Sequence, residues 1–314
     1  MNIKISHPIA IQRLGHRDNQ EDSIYPPLGE ATSSDRIFLV CDGMGGHEHG
    51  EIASDTVCKV IGNFFTTDTE FHTLTDKDLL NAVDRAYDAL DDADTNTGKT
   101  MGTTLTFVGL HNQGCLVGHT GDSRVYHFRP SERKIWHTRD HSLVQNLFEI
   151  GDITEEEMKT HPRRNVITKA MLPHRENRVM PTMRNIQDIR PGDWIMLCSD
   201  GVTERSDDSD FLDILSDTSL SLDMVQERLI DLIGNNNDNH SAYLFRIENV
   251  DNPINNPEDA FQSKSELHSQ QEDETPNHSY QHCSRRPNYI KLLSYILLII
   301  AVIATAILIY SKYF

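Results

Sequence analysis

The sequence predicts an α+β fold, and three observations carry that expectation. Short runs rich in β-branched and aromatic residues outnumber helical stretches; Gly, Asn or Asp turns separate many of them; and strands and helices do not alternate one for one, as a doubly wound parallel sheet would require. The strand candidates are RIFLVCD (36–42), TLTFVGL (104–110), GCLVGHTGD (114–122), SRVYHF (123–128), WIMLCSD (194–200) and AYLFRIE (242–248). A first helix is expected from near Glu48 through IASDTVCKVIGNFF. A second, DKDLLNAVDRAYDALDDAD, places Leu79, Leu80, Val83, Ala86, Tyr87 and Leu90 at helical spacing. A third lies in LDMVQERLIDLIG (222–234). No internal repeat is visible.

With 37% hydrophobic and 25% charged residues in 314, the chain has the composition of a folded protein. Its formal charge of −19 argues against a nucleic-acid partner, because the densest basic cluster, HPRRN at 161–165, is too short to form a stripe along a duplex. Cys41, Cys58, Cys115, Cys198 and Cys283 are widely spaced and form no CxxC pair, which points to a reducing compartment. The N-terminus has no sustained apolar core or small-residue cleavage site and so does not read as a signal peptide.

The other end differs. Leu292 to Tyr310, LLSYILLIIAVIATAILIY, carries no charge and has the length that crosses about 30 Å of hydrocarbon. A buried core helix is the alternative; the missing polar face and the tyrosines near both ends favour a membrane span. Arg285, Arg286 and Lys291 precede it and only Lys312 follows, which places the bulk of the chain in the cytoplasm. Residues 251–289, rich in Asn, Ser, Gln, Glu and Pro, read as a flexible tether. The expected organisation is therefore a globular domain over 1–250, a linker over 251–289, a transmembrane helix over 290–311 and a tail over 312–314.

Four carboxylates stand where apolar strands enter or leave a core. Asp42 follows IFLVC and precedes Gly43; Asp200 follows WIMLCS and precedes Gly201; Asp122 ends CLVGHTG; Asp238 precedes the strand beginning near Ser241. Asp-Gly alone is a common turn pair. Four such sites in one domain call for a shared partner, since buried unpaired carboxylates are costly. Oxygen donors without Cys and without regular His spacing suit a hard cation such as Mg²⁺ or Mn²⁺. The glycines after Asp42 let backbone approach such an ion, and the Gly43 carbonyl is itself a candidate ligand.

The successive stretches RDNQED (17–22), DGMGG (42–46), GDSR (121–124), SDG (199–201) and DNHS (238–241) resemble, in order, the motifs of the PPM/PP2C family of metal-dependent Ser/Thr protein phosphatases. Residues 140–171 also resemble the flap of its bacterial members. The resemblance implies a four-layer αββα sandwich of two antiparallel sheets flanked by helices, with metals in a cleft at one end. It implies that Asp42 bridges two Mn²⁺ or Mg²⁺ ions, that Asp200 and Asp238 complete the first, and that Glu21 and the Gly43 carbonyl serve the second. Asp122 with Asp200 matches a third site, Asp22 the residue that orients metal-bound water, and Arg17 the phosphate-binding arginine. The implied activity is hydrolysis of phosphoserine and phosphothreonine by a metal-bridging hydroxide, which attacks phosphorus in line. The planar fork of Arg17 suits two phosphate oxygens in a way Lys does not. The implied partners are phosphoprotein substrates and an opposing Ser/Thr kinase at the membrane.

The chain departs from the family pattern at two points. Met44 stands where some eukaryotic members carry a candidate general-acid His, and His47 nearby reads as a loop or helix-start residue. His240 replaces a β-branched residue of the last motif and is expected to face solvent, while Ser241 keeps the hydroxyl. Cys41 reads as core, pointing away from the Asp42 side chain. Thr103 and Thr104 read as structural residues beginning a strand near the cleft. Arg163 and Arg164 either guide acidic phosphopeptides or form a solvated surface. The competing functions are a phosphoprotein-binding protein without turnover, which loss of a ligand would mark, and hydrolysis of another phosphoester such as a nucleotide.

Overall fold

The computed structural model describes residues 2–45, 49–66, 74–94 and 101–251. In chain order, β1 (Asn2–Ile5), β2 (Ile9–Arg13), β3 (Asp22–Tyr25) and β4 (Ile37–Met44) precede α1 (His49–Thr66) and α2 (Asp76–Ala93). Then come β5 (Gly102–Thr103), β6 (Leu105–His111), β7 (Gly114–Thr120), β8 (Arg124–Arg129), β9 (Lys134–His137), α3 (Leu143–Glu149), α4 (Glu155–Thr160) and β10 (Thr182–Ile186). β11 (Trp194–Cys198), α5 (Asp200–Thr203), α6 (Asp208–Ser216), α7 (Leu222–Ile233) and β12 (His240–Asp251) complete the order.

Two antiparallel sheets result, ordered β1-β12-β11-β8-β9 with β2 also on β12, and β10-β7-β6-β4-β3 with β5 on β4. The period-two alternation of each strand sorts its side chains between two cores. On β4, Phe38 and Val40 enter the core between the sheets, where Val108, Ile195, Tyr243 and Phe245 meet them. Leu39 and Cys41 face the opposite way, against Val57, Ile61, Leu79, Val83 and Tyr87 of α1 and α2. On the far side, Met196 and Leu244 pack against Phe211, Leu212, Val225 and Leu229 of α6 and α7. Helices thus cover both outer faces, giving the αββα sandwich. This double coverage explains why the central strands read as near-continuous apolar runs, although their pairing is antiparallel.

The helix ends follow local chemistry. Thr75 caps α2 and Thr154 caps α4, each in a reciprocal box with an acidic residue three positions on. The predicted strands and the three predicted helices are all present. Several boundaries differ: β11 and β7 stop two residues short of the expected carboxylates, β12 extends at both ends, and β4 continues through Gly43 to Met44 because β5 pairs with both residues, so Asp42 lies within a strand and not after its end. Cys41, Cys58, Cys115 and Cys198 are buried free thiols. Among the described residues no helix is long and apolar enough to cross a membrane. The expected linker and transmembrane helix, together with Cys283 and His47, lie outside the described residues.

Candidate active site

The β3–β4 register sets Asp22 directly opposite Asp42. Like charges in that position destabilise a sheet unless something offsets them. Asp22 is 3% exposed. Its Oδ2 accepts a 2.8 Å hydrogen bond from Ser199 Oγ, which in turn accepts one from the Ser241 amide. Burial, opposed by the Ser199 bond and reinforced by the charges of Asp200 and Asp238, lifts the Asp22 pKa to about 7. Asp42 is pushed well above the ordinary carboxylate range, first by desolvation and then by Asp22, Asp200, Asp122 and Asp238. Its main chain is clamped from the neighbouring segment. Thr104 Oγ1 accepts from the Asp42 amide, and the Thr104 amide and Thr103 Oγ1 both donate to the Asp42 carbonyl. Thr103 and Thr104 therefore hold the structural role expected of them.

Asp200 opens α5, immediately after β11, and its pKa is lifted to about 6 by burial and by Asp238. Asp122 sits in the β7–β8 turn, lifted to about 8 by burial and then by Asp200 and Asp140. Gly121 reaches that turn at φ +106°, and a Cβ there would lie 2.6 Å from Thr104 Cγ2. The turn is braced by Arg124, whose Nε and Nη2 each donate at 2.7 Å to the two oxygens of Asp140. Arg124 Nη1 also donates to Tyr126 Oη, which donates to Asp208. Asp140 and Tyr126 escaped the sequence reading. Only the position of Asp140 shortly after a strand, as for Asp42, Asp122 and Asp200 in the sequence, could have marked it.

Glu21 and Gly43 meet where two backbone segments cross. A Cβ on Gly43 would lie 2.1 Å from the Gly50 carbonyl oxygen and 2.6 Å from that of Glu21. A Cβ on Gly50 would lie 3.0 Å from the Glu21 carboxyl carbon. Bulk at either position would close the space between the Glu21 carboxylate and the Gly43 backbone. Asn239, also missed as a positioning residue, ties the chain's beginning to its end. Its Oδ1 accepts from the Glu21 amide at 2.7 Å, and its Nδ2 donates to the Leu14 and Asn19 carbonyls.

Arg17 and Asp238 are also brought together, by a 2.6 Å ion pair between Nη2 and Oδ2. Asp238 Oδ1 accepts from the Asn239 amide. His240 corrects an expectation. It is 1% exposed and not solvent-facing, because it shares the β12 face with Ala242 and Leu244 and lies beneath α5, within 3.2 Å of a Cβ on Gly201. Its Nδ1 lies 3.1 Å from the Asp238 carbonyl, and Nε2 has no hydrogen-bond partner. Arg163 and Arg164 are exposed beyond α4. The segment carrying α3 and α4 is fixed at both ends, by the His141 amide to the Gly121 carbonyl and by paired bonds between Thr103 and Met171.

Among the described residues no three Asp, Glu, His or Cys side chains are already drawn into an ion-holding geometry. The donor set nevertheless fits a hard cation. It is all oxygen, its carboxylates raise one another's pKa values, and Asp122 Oδ1 and Asp200 Oδ1 are buried without any hydrogen-bond partner.

A two-sheet sandwich that gathers such a carboxylate cluster with an arginine beside it suits a hard cation and an anionic ligand. The profile described as protein phosphatase 2C matches residues 16–233. The chain is 30% identical over 207 residues to protein phosphatase PhpP of Streptococcus pneumoniae, covering 64% of this chain and 80% of that one. It is 34% identical over 205 residues to the serine/threonine protein phosphatase PstP of Mycobacterium tuberculosis, covering 63% of this chain but 36% of that longer protein. The PstP catalytic domain in complex with two manganese ions superposes with a TM-score of 0.66 at 29% identity, over 79% of this chain and all of that domain. This chain belongs to the protein phosphatase 2C family.

Proposed function

We propose that the chain is a divalent-metal-dependent phosphatase of phosphoserine and phosphothreonine in proteins, opposing a Ser/Thr kinase at the cytoplasmic face of a membrane. One observation carries the reading: Asp22, Asp42, Asp122, Asp200 and Asp238 converge at one end of the sandwich, mutually repelling, with Arg17 against them. The two manganese ions of the PstP catalytic domain support the choice of cation class.

Asp42, Asp200 and Asp238 would hold one ion, Asp42, Glu21 and the Gly43 carbonyl a second, and Asp122 with Asp200 a third. The ions supply charge neutralisation of the phosphate and activation of water for attack on phosphorus. The chain's own groups do the rest. Thr103 and Thr104 fix the Asp42 backbone, which limits how far its carboxylate must move to take up an ion. Asp22, held by Ser199 and set opposite Asp42, is placed to accept a hydrogen bond from a water and orient it beside the cluster. The exposed Arg17 guanidinium, held against the cluster by Asp238, has donors in the fork that matches two phosphate oxygens. The charge-free run 292–310 supports tethering, which would raise the local concentration of catalytic domain beside membrane-bound phosphoproteins.

The test is phosphate release from a phosphothreonine peptide by the full chain with Mn²⁺ or with EDTA, beside Asp42→Ala and Asp200→Ala. The expected result is metal-dependent release lost in both variants. A folded, metal-binding wild type that releases nothing would replace the reading with phosphoprotein binding, and faster turnover of nucleotides would replace it with another phosphoesterase.

A further inference from the structure

A cleft of about 990 Å³ lies beside the Asp122 turn, and the residues that line it reveal its direction. From β9 it takes Ile135, Trp136 and His137 in succession, and from β10 it takes Thr182, Met183 and Arg184 in succession. A cavity on the face of a sheet would be lined by every second residue, because alternate side chains leave opposite faces. Consecutive lining places the cleft along strand edges. β9 and β10 are indeed the terminal strands of their respective sheets, and among the described residues neither has a strand on its outer edge. Such an edge presents a row of backbone donors and acceptors to any extended chain.

The cleft leads to the candidate active site. Thr182, at the start of β10, pairs with His119 at the end of β7, just before Asp122. His141 closes that end. Its ring stacks on His119 with centroids 4.5 Å apart, its Nδ1 accepts from the Gly121 amide, and its Nε2 is bonded to Thr182 Oγ1. Arg184 lies two strand residues further out, about 7 Å from Thr182, and covers the Trp136 ring at 4.7 Å.

The charge of the cleft selects its occupant. Of its two acids, Asp140 is engaged by both prongs of Arg124 and Glu149 lies 3.3 Å from Arg139. Lys169 and Arg184 are exposed and have no ion-pair partner among the described residues, on a chain of net charge −19. We propose that this cleft binds the acidic residues flanking the phosphorylated position of a protein substrate, in extended conformation along the free edge of β10. The proposal rests on the phosphatase reading and adds to it a recognition surface distinct from the carboxylate cluster.

Two measurements with the full chain and Mn²⁺ test it, using p-nitrophenyl phosphate as a substrate with no flanks. The first compares kcat/KM for a phosphothreonine peptide bearing Glu on both flanks with kcat/KM for p-nitrophenyl phosphate. The Lys169→Glu/Arg184→Glu variant is expected to lower that ratio at least tenfold, and an unchanged ratio overturns the cleft. The second leaves the protein intact and N-methylates single flanking amides of the peptide. Loss of kcat/KM at every second amide supports edge pairing, and uniform sensitivity or none overturns it. Absence of p-nitrophenyl phosphate hydrolysis by the wild type would overturn the phosphatase reading itself, whereas hydrolysis with an unchanged ratio would overturn only the cleft.

Discussion

Asp200→Asn should stabilise the metal-stripped protein, by an amount that depends on pH. The Asp200 carboxyl has an ordinary pKa of 3.8 and is lifted to about 6 in the fold, chiefly by burial and then by Asp238. Between those values the native state holds a proton that the unfolded chain has lost. The unfavourable term is therefore absent below about pH 4, grows as pH rises, and is complete above about pH 6. Roughly two pH units at about 1.4 kcal/mol each correspond to about 3 kcal/mol. Relief of Asp22, Asp42 and Asp122, all of which Asp200 repels, acts in the same direction. At about 2–4 °C per kcal/mol for a domain of this size, thermal unfolding in EDTA at pH 8 should rise by about 6–12 °C in the variant and stay unchanged at pH 4. Saturating Mn²⁺ should narrow or reverse the difference, because binding to the native state adds about 2.7 kcal/mol at a hundredfold excess over Kd. A variant no more stable than wild type at pH 8, or equally stabilised at both pH values, would refute the electrostatic account.

Gly43→Ala should cost at least about 2 kcal/mol in urea unfolding and abolish Mn²⁺ binding by calorimetry, since its Cβ meets backbone oxygen at 2.1 Å. Retained binding would show that the backbones can separate. Arg124→Gln leaves Asp140 without its bidentate partner and should cost about 3–5 kcal/mol by denaturant titration. His240→Val removes an unpartnered buried nitrogen together with one bond to the Asp238 carbonyl, and should change the unfolding free energy by less than about 1 kcal/mol. The same substitution should weaken Mn²⁺ binding severalfold by loosening the Asp238 loop. Truncation after Asp251 should move the protein from the membrane pellet to the supernatant on cell fractionation. A full-length protein already in the supernatant would refute the anchor.

The parts legible in the sequence were those where local pattern and tertiary role coincide. β4, β6, β7, β11 and β12 are long apolar runs because helices cover both sheets, and α2 displays its buried face at helical spacing. Asp42, Asp122, Asp200 and Asp238 stood out because a carboxylate interrupts each pattern at a strand end. β1, β2 and β3 did not stand out: they are four or five residues long, and their pairing with β12 and β4 comes from distant parts of the chain. The short α3 and α4 have almost no buried face to leave a periodic signal. His240 was misplaced for a related reason. A polar residue in a polar motif reads as exposed, and only the position of α5 over that end of β12 buries it.

Asn239 joins Leu14, Asn19 and Glu21, while β12 carries β1 and β2 along one edge and β11 along the other. Among the described residues, the last strand in chain order is thus the one on which the first two depend. During synthesis, the segment bearing Arg17 and Glu21 emerges more than two hundred residues before the segment that positions it. A nascent chain that has not yet released β12 lacks the pairing partner of β1 and β2 and the Asn239 amide that holds the segment around Glu21.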